Sequence, residues 1–269
     1  MGKAVIKARN LKFALAGADK RNWFGGNPQA TALLDGASIL FPVGETYFIN
    51  AVIHYRDQIA DPKLQAEITA FQQQEGIHSR EHRRYNEAIQ AFGGDVPALE
   101  QNLKDEIARW DDSAIFKLAV TCAFEHFTAI GAHFALAKEG FFDKADPEYA
   151  KLWRWHAIEE AEHKSVAYDV WNQVGPKGLA GYRMRIRALM LATRVFNGQT
   201  LHNALSLLKA RGETNRWKNR LAIWKFVFVS PGFLWGILPA YFSYFLPGFH
   251  PWRHDNRHLI EQYKVAYEA

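Results

Sequence analysis

A chain of 269 residues with 48% apolar and 23% charged side chains can bury a large core, which excludes wholesale disorder. Its single cysteine, Cys122, excludes an intrachain disulfide and any cysteine-built zinc or iron–sulfur site, and suits a reducing, cytoplasmic compartment. The net charge of +5 is uneven: residues 176–225 hold eleven Lys/Arg against one acid, Glu213, so an anionic partner is expected there.

In chain order, residues 1–33 mix basic and aromatic side chains with Gly25-Gly26-Asn27-Pro28 and read as an irregular N-terminal arm. The first twenty carry five Lys/Arg and no long apolar run, unlike a secretory leader. Residues 34–57 are helical in pattern, with Pro42 as a kink or a start. Glu45 sits there among apolar neighbours, a costly place for an unpaired carboxylate. Asp61-Pro62 reads as an N-cap with first-turn proline, opening a long helix that Gly93-Gly94 stops. On it Glu75, His78 and His82 share one stripe. Residues 95–109 predict a short helical connector. Asp111-Asp112-Ser113 caps the next helix, which runs to Glu139 and has Glu125 as its only interior acid. Asp146-Pro147 repeats the cap-then-proline start, predicting a fourth helix to Gln173 on which His156, Glu160 and His163 face one side.

Each of two helices thus carries one isolated Glu (Glu45, Glu125), and each of two carries Glu-x-x-His (Glu75/His78, Glu160/His163). This is the ligand formula of a dinuclear carboxylate site in a four-helix bundle. The isolated Glu precedes its partner motif by 30 residues in the first half and 35 in the second, as in a duplicated helix pair. The predicted architecture is all-α: an arm (1–33), a ferritin-like four-helix bundle holding the site (34–175) and a basic, aromatic helical extension (176–269). Four carboxylates and two imidazoles suit iron, manganese or zinc, and four Glu charges balance two divalent ions. His156, one turn before Glu160, is a seventh candidate ligand. His82 is expected to orient a ligand, with an extra ligand or a packed core histidine as the alternatives. Thr121 and Thr128 share the Glu125 face, within reach of a ligand or simply packing between helices. Glu159 and Glu162 point away from Glu160 and are expected at the surface or in salt bridges; His126 points away from Glu125.

The Glu … Glu-x-x-His … Glu … Glu-x-x-His series resembles that of ferritin-like di-iron carboxylate proteins. More closely, five segments resemble a bacterial family of predicted metal-dependent hydrolases. They are Phe41-Pro42-x-Gly44-Glu45, Gln74-Glu75-x-x-His78-Ser79-x-x-His82-x-x-Tyr85-Asn86, Glu125-His126-Phe127-Thr128, His156-x-x-Glu159-Glu160-x-Glu162-His163-Lys164 and Phe249-His250-Pro251-Trp252. The spacing His156-x-x-x-Glu160-x-x-His163 is also similar to the fourth-helix motif of di-iron arylamine N-oxygenases. These resemblances imply two iron ions, with manganese or zinc as alternatives, and O2 activation. The expected function is a non-haem di-iron oxygenase or oxidase taking O2, a small lipophilic substrate and electrons from an unspecified donor. A two-metal hydrolase and ferritin-like handling of iron or peroxide are the alternatives.

In the last third, residues 177–225 predict one or two basic amphipathic helices. Residues 226–249 then run 24 positions without a charge, nine of them aromatic. Pro231, Pro239 and Pro247 break a continuous span. Aromatics beside basic residues fit an element lying in a membrane interface, which would place residues 176–250 against the inner face of the cytoplasmic membrane. Packing over the bundle or a homodimer contact is the alternative. Nucleic acid fits worst, because no recognition motif accompanies the charge.

Overall fold

The structure, a computed structural model, describes residues 3–15, 17, 20–110 and 113–267. The described residues are all-helical apart from one isolated bridge between Phe24 and Ala145. In order come α1 (Pro28–Ser38), α2 (Phe41–Ile53), α3 (Pro62–Ala91), α4 (Val96–Ile107), α5 (Ala114–Ala137), α6 (Pro147–His163) and α7 (Val166–Val174). After them follow α8 (Gly178–Ala210), α9 (Arg216–Phe228), α10 (Phe233–Ser243) and α11 (Arg257–Lys264). The bundle is α2, α3, α5 and α6 with its continuation α7. Helix α2 packs on α3 and α5 on α6, and the connector α4 carries the chain from the first pair to the second.

Side-chain caps set where these helices begin. Asp61, Asp95, Ser113 and Asp146 each accept a backbone N–H of the first turn, and all but Ser113 are followed by a first-turn proline. Asp111 and Asp112 of the expected third cap lie outside the described residues; Ser113 caps without them. Asn27 does the same for α1, accepting from Gln29 and Ala30 at 3.0 Å, so the first helix starts at Pro28, inside the stretch expected to be irregular. The helix expected over 34–57 is two helices, broken at Ile39–Leu40, because Pro42 in the first turn of α2 has no N–H for a continuing ladder. The helix expected over 147–173 is interrupted at Lys164-Ser165. There the Lys164 ammonium bonds the His254 carbonyl and Asn256 Oδ1, and Ser165 Oγ bonds Asp169.

Two apolar clusters fill the bundle. One gathers Phe48, Phe71, Phe116, Leu118 and Trp171; the other gathers Ile39, Tyr85, Ile89, Leu152 and Trp155. Helix α8 reaches both, giving Leu189 and Ala192 to the first and Ala204 and Leu207 to the second. At about 50 Å it is long enough to wall both clusters. Helix α10 covers α5 through Phe233 on Phe134 and Tyr241 on Phe127. By length and composition Pro28–Gln58 and Ala114–Ala137 are apolar enough to cross a membrane, as are α9 and α10 together despite a 59° bend. In the first two, more than half of the apolar window is buried inside the protein.

The α1–α8 contact depends on Gly36: a Cβ there would sit 2.7 Å from the Thr200 carbonyl oxygen and 3.0 Å from the Ala204 nitrogen. Gly36 O also accepts the Asn203 amide at 3.0 Å. Gly36→Ala should therefore lower stability by about 1–3 kcal/mol in thermal or denaturant unfolding. Gly76→Ala is the control: it lies on an exposed helical face with open space around it, and should be neutral or stabilising.

Candidate metal centre

Helix α2 contributes Glu45, α3 contributes Glu75 and His78, α5 contributes Glu125, and α6 contributes His156, Glu160 and His163. All seven side chains are buried and meet at mid-bundle. His163 Nε2 lies 3.3 Å from both Glu75 Oε1 and Glu125 Oε2, and 3.5 Å from Glu160 Oε2. His78 Nδ1 lies 3.6 Å from Glu160 Oε1 and 3.8 Å from Glu75 Oε2, while His156 Nε2 is 3.0 Å from Glu160 Oε1. Two ligand groups emerge, Glu45/His78/His156 and Glu75/Glu160/His163, each with donor atoms within 4.8 Å of one another. Glu75 and Glu160 each turn one oxygen toward His163 and the other toward His78, so both span the two groups.

The inward-facing atoms fit metals and little else. Both oxygens of Glu45, Glu75 and Glu125, together with Glu160 Oε2, His78 Nδ1, His156 Nε2 and His163 Nε2, have no hydrogen-bond partner among the described residues. Buried polar atoms are ordinarily paired, and so many orphans converging on one place need cations to satisfy them. Carboxylate and imidazole donors suit iron, manganese or zinc.

Each imidazole is held from behind by its other nitrogen. His78 Nε2 meets Glu159 Oε2 at 3.0 Å, and His163 Nδ1 meets Gln74 Oε1 at 2.9 Å. Tautomers follow from the network. Asn86 gives its amide to Glu100, so its Oδ1 accepts the Ser38 hydroxyl proton at 3.0 Å. Ser38 Oγ must then accept from His82 Nδ1–H at 2.9 Å, which leaves His82 Nε2 to accept from His156 Nδ1–H at 2.8 Å. The bare lone pair of His156 is thereby left on Nε2, facing the centre. His82 has both ring nitrogens engaged and orients His156, which is how metal-bound imidazoles are commonly held.

Glu159 and Glu162 are not on the surface. Both are buried, because residues 7–9 of the N-terminal arm cover that face of α6. Arg9 pairs with Glu162 at 2.7 Å and with Glu159 at 3.3 Å, and its own N–H bonds Glu159 at 2.9 Å. Trp155 Nε1 donates to Glu159, and Gln74 Nε2 donates to Glu162. Arg9 thus backs His78 through Glu159 and His163 through Glu162 and Gln74. A helical wheel shows that Glu159 and Glu162 face away from Glu160, but nothing periodic marks Arg9 as their partner. Thr121 donates to the Lys117 carbonyl and Thr128 to that of Glu125, so both hydroxyls serve their own helix. His126 turns to α10 and meets the Ala240 carbonyl at 3.1 Å.

Burial, reinforced by neighbouring carboxylates, holds Glu45 and Glu75 well above the usual carboxylate range; burial also raises Glu125. Burial alone would raise Glu160 and lower His163. Their mutual attraction prevails, keeping Glu160 ionised and His163 protonated above its ordinary range. Burial lowers His78 and His82, so both stay neutral. Burial pushes Glu159 up to about 7 against the pull of Arg9.

A four-helix bundle whose midpoint gathers four carboxylates and three imidazoles around two foci defines a metalloprotein suited to a metal pair. The chain belongs to the family described as predicted metal-dependent hydrolases, whose sequence profile matches residues 7–255. No curated protein and no solved structure matches it. The matched span begins in the arm and extends past α10, so Arg9 and helices α8, α9 and α10 lie within it, while α11 lies beyond it.

Removing Arg9 would leave two buried carboxylates uncompensated. Arg9→Met should cost about 3–5 kcal/mol in denaturant unfolding and weaken metal binding about 10–100-fold by titration. Full affinity in this variant would show that the arm does not support the imidazoles. Metal must also displace the protons that burial holds on Glu45 and Glu75 and the one that His163 carries beside Glu160. The metal-free folded state binds more protons than the loaded one, so affinity should rise with pH. Titration calorimetry in buffers of different ionisation enthalpy should show proton release, and a proton-neutral reaction would contradict these assignments.

Proposed function

We propose that the protein is a non-haem di-iron enzyme that activates O2 to oxidise a small apolar substrate. Glu45, His78 and His156 would hold one metal and Glu125 and His163 the other, with Glu75 and Glu160 within reach of both groups. Bound iron would supply the capacity to reduce O2, given electrons from an external donor. The chain's own contribution is to hold ligands rigidly and to keep the approach dry. Glu159, Gln74 and His82 fix the three rings, and Arg9 fixes Glu159 and Glu162 behind them.

The observation that carries the oxidative reading is the apolar lining of a cavity beside α2 and α5. It has a volume of about 30 Å³ between α2, α4, α5 and α8, lined by Phe41, Gly44 and Phe48 of the helix that bears Glu45 and by Phe124 and Thr128 of the helix that bears Glu125. The Thr128 hydroxyl is turned to its own helix. A larger hollow of about 550 Å³, bordered by Asn50, His54 and Lys117, shares Tyr47, Ile107 and Trp110 with it. The Tyr47 and Trp110 rings meet edge to face at 5.8 Å, and Trp110 stacks near Phe124 at 6.3 Å. The exposed walls of the smaller cavity are wholly apolar, which suits O2, whereas the larger hollow presents Asn50, His54 and Lys117. The family's description favours the second reading, hydrolysis by a zinc or manganese pair that activates water.

Anaerobic loading followed by exposure to oxygen separates the two. The expected result is two Fe(II) per chain and O2 uptake coupled to iron oxidation. Zinc occupancy with esterase or amidase turnover, and no oxygen uptake by the iron form, would establish hydrolysis; many irons per chain would point to storage. Glu160→Ala and His78→Ala should each lose at least one metal per chain while keeping the helical circular dichroism. Unchanged metal content in both would remove the basis of the assignment.

A further inference from the structure

We propose that α9 and α10 form a docking surface for an anionic lipid bilayer. Both helices are fixed to the body of the protein by one face. Asn219 and Ile223 are buried, and Asn219 accepts the Gln29 amide at 3.0 Å. Ile237 is buried on α10, where Gly236 lies so close to the Phe134 ring that a Cβ would fall 2.4 Å from it. The opposite faces stand in solvent and are apolar. On α9, Trp217, Leu221, Trp224 and Phe228 follow helical spacing along one stripe, with Trp217 81% exposed and Trp224 stacked on Phe228 at 5.3 Å. On α10 and just beyond it, Trp235, Phe242 and Leu246 continue the pattern, and Trp235 is 62% exposed. The Trp235 indole donates to the Phe228 carbonyl at 2.7 Å, so the two stripes meet where the helices bend by 59°.

The charges around the stripe indicate the partner. On the helical wheel Arg216 and Arg220 flank it on one side and Lys218 and Lys225 on the other. All four are exposed, and none has an acidic side chain within ion-pair distance among the described residues. From residue 214 to 254 the sequence contains no Asp or Glu. Tryptophans at the centre with uncompensated cations at both edges are what a helix lying in a bilayer interface presents: rings enter the acyl boundary while cations reach anionic headgroups. A second copy docking by a two-fold axis would set these same cations against each other. Nucleic acid would leave Leu221, Phe242 and Leu246 without a partner. The surface stands apart from the metal centre and does not depend on the reaction carried out there.

The test uses the full chain in flotation with phosphatidylcholine vesicles, with and without about one-quarter phosphatidylglycerol. The protein should float with the anionic vesicles and stay behind with the neutral ones, with a blue-shifted tryptophan emission, and about 0.5 M salt should release it. Arg220→Glu combined with Lys225→Glu should lower the partition at least about tenfold, as should Trp217→Ser with Trp224→Ser. Metal content and helicity of both variants should match those of the parent, because all four positions are exposed. Equal binding to neutral and anionic vesicles, or binding unaffected by either variant, would overturn the proposal. So would a parent that ignores vesicles but dimerises in a way the tryptophan variant abolishes, since the face would then join two copies of the chain.

Discussion

Four buried carboxylates in the middle of a helical bundle, three of them without a hydrogen bond among the described residues, are the constraint that the rest of the protein answers to. Two like charges about 4 Å apart repel by about 4 kcal/mol even at the effective dielectric typical near a protein surface. The bundle cannot keep all four ionised and unpaired. Without cations it responds as far as protons allow: Glu45 and Glu75 hold theirs, and His163 takes one to accompany Glu160. That arrangement satisfies charge but leaves the inward lone pairs unused. Two divalent ions cancel four charges and occupy the orphaned atoms together, which is why the donor set is better explained by a metal pair than by an ion-pair network.

Holding those ions requires the rings to be aimed, and the structure spends its buried polar residues on this. Three imidazoles have three different backstops: a carboxylate for His78, an amide for His163 and another imidazole for His156. The first two lead to Arg9, so a segment without regular structure becomes part of the centre's rigidity. The third leads through His82 and Ser38 to Asn86, tying the end of α1 to α3 behind the site. Ser38 lies in the turn just beyond Gly36, whose close contact with α8 fixes α1 in place. Wall and site are therefore connected through a few named atoms.

This division explains what was legible in the sequence. The helix-borne donors could be read because i, i+3 and i, i+4 spacing is a local property, and an acid alone in an apolar helix stands out by its cost. Cap-then-proline pairs marked α3 and α6 for the same reason. For Glu159 and Glu162 the choice between surface and salt bridge stayed open, because a wheel says which way a side chain points and not what lies over it. The covering residue, Arg9, is some 150 positions away in a stretch with no period. The same limit applies to α8. Its basic, amphipathic pattern suggested an extension, whereas Leu189 and Leu207 show that its apolar side completes both clusters. The break after His163 likewise involves partners at 254 and 256, beyond local pattern.

The centre is also lopsided, and the asymmetry bears on how anything reaches it. The α3–α6 side carries the backing network, which engages the outward nitrogen of each imidazole. The α2–α5 side carries Glu45 and Glu125, neither with a hydrogen bond from the described residues and neither with a backing group. Helices α2 and α5 are the most apolar of the bundle because they wall both the core and the cavity. The cavity is lined from these same two helices, while the rings opposite are locked. A carboxylate without a hydrogen bond can swing between one-oxygen and two-oxygen contact with a cation at little cost; an imidazole pinned at its far nitrogen cannot. The fold thus puts its rigidity and its freedom on opposite walls of one site.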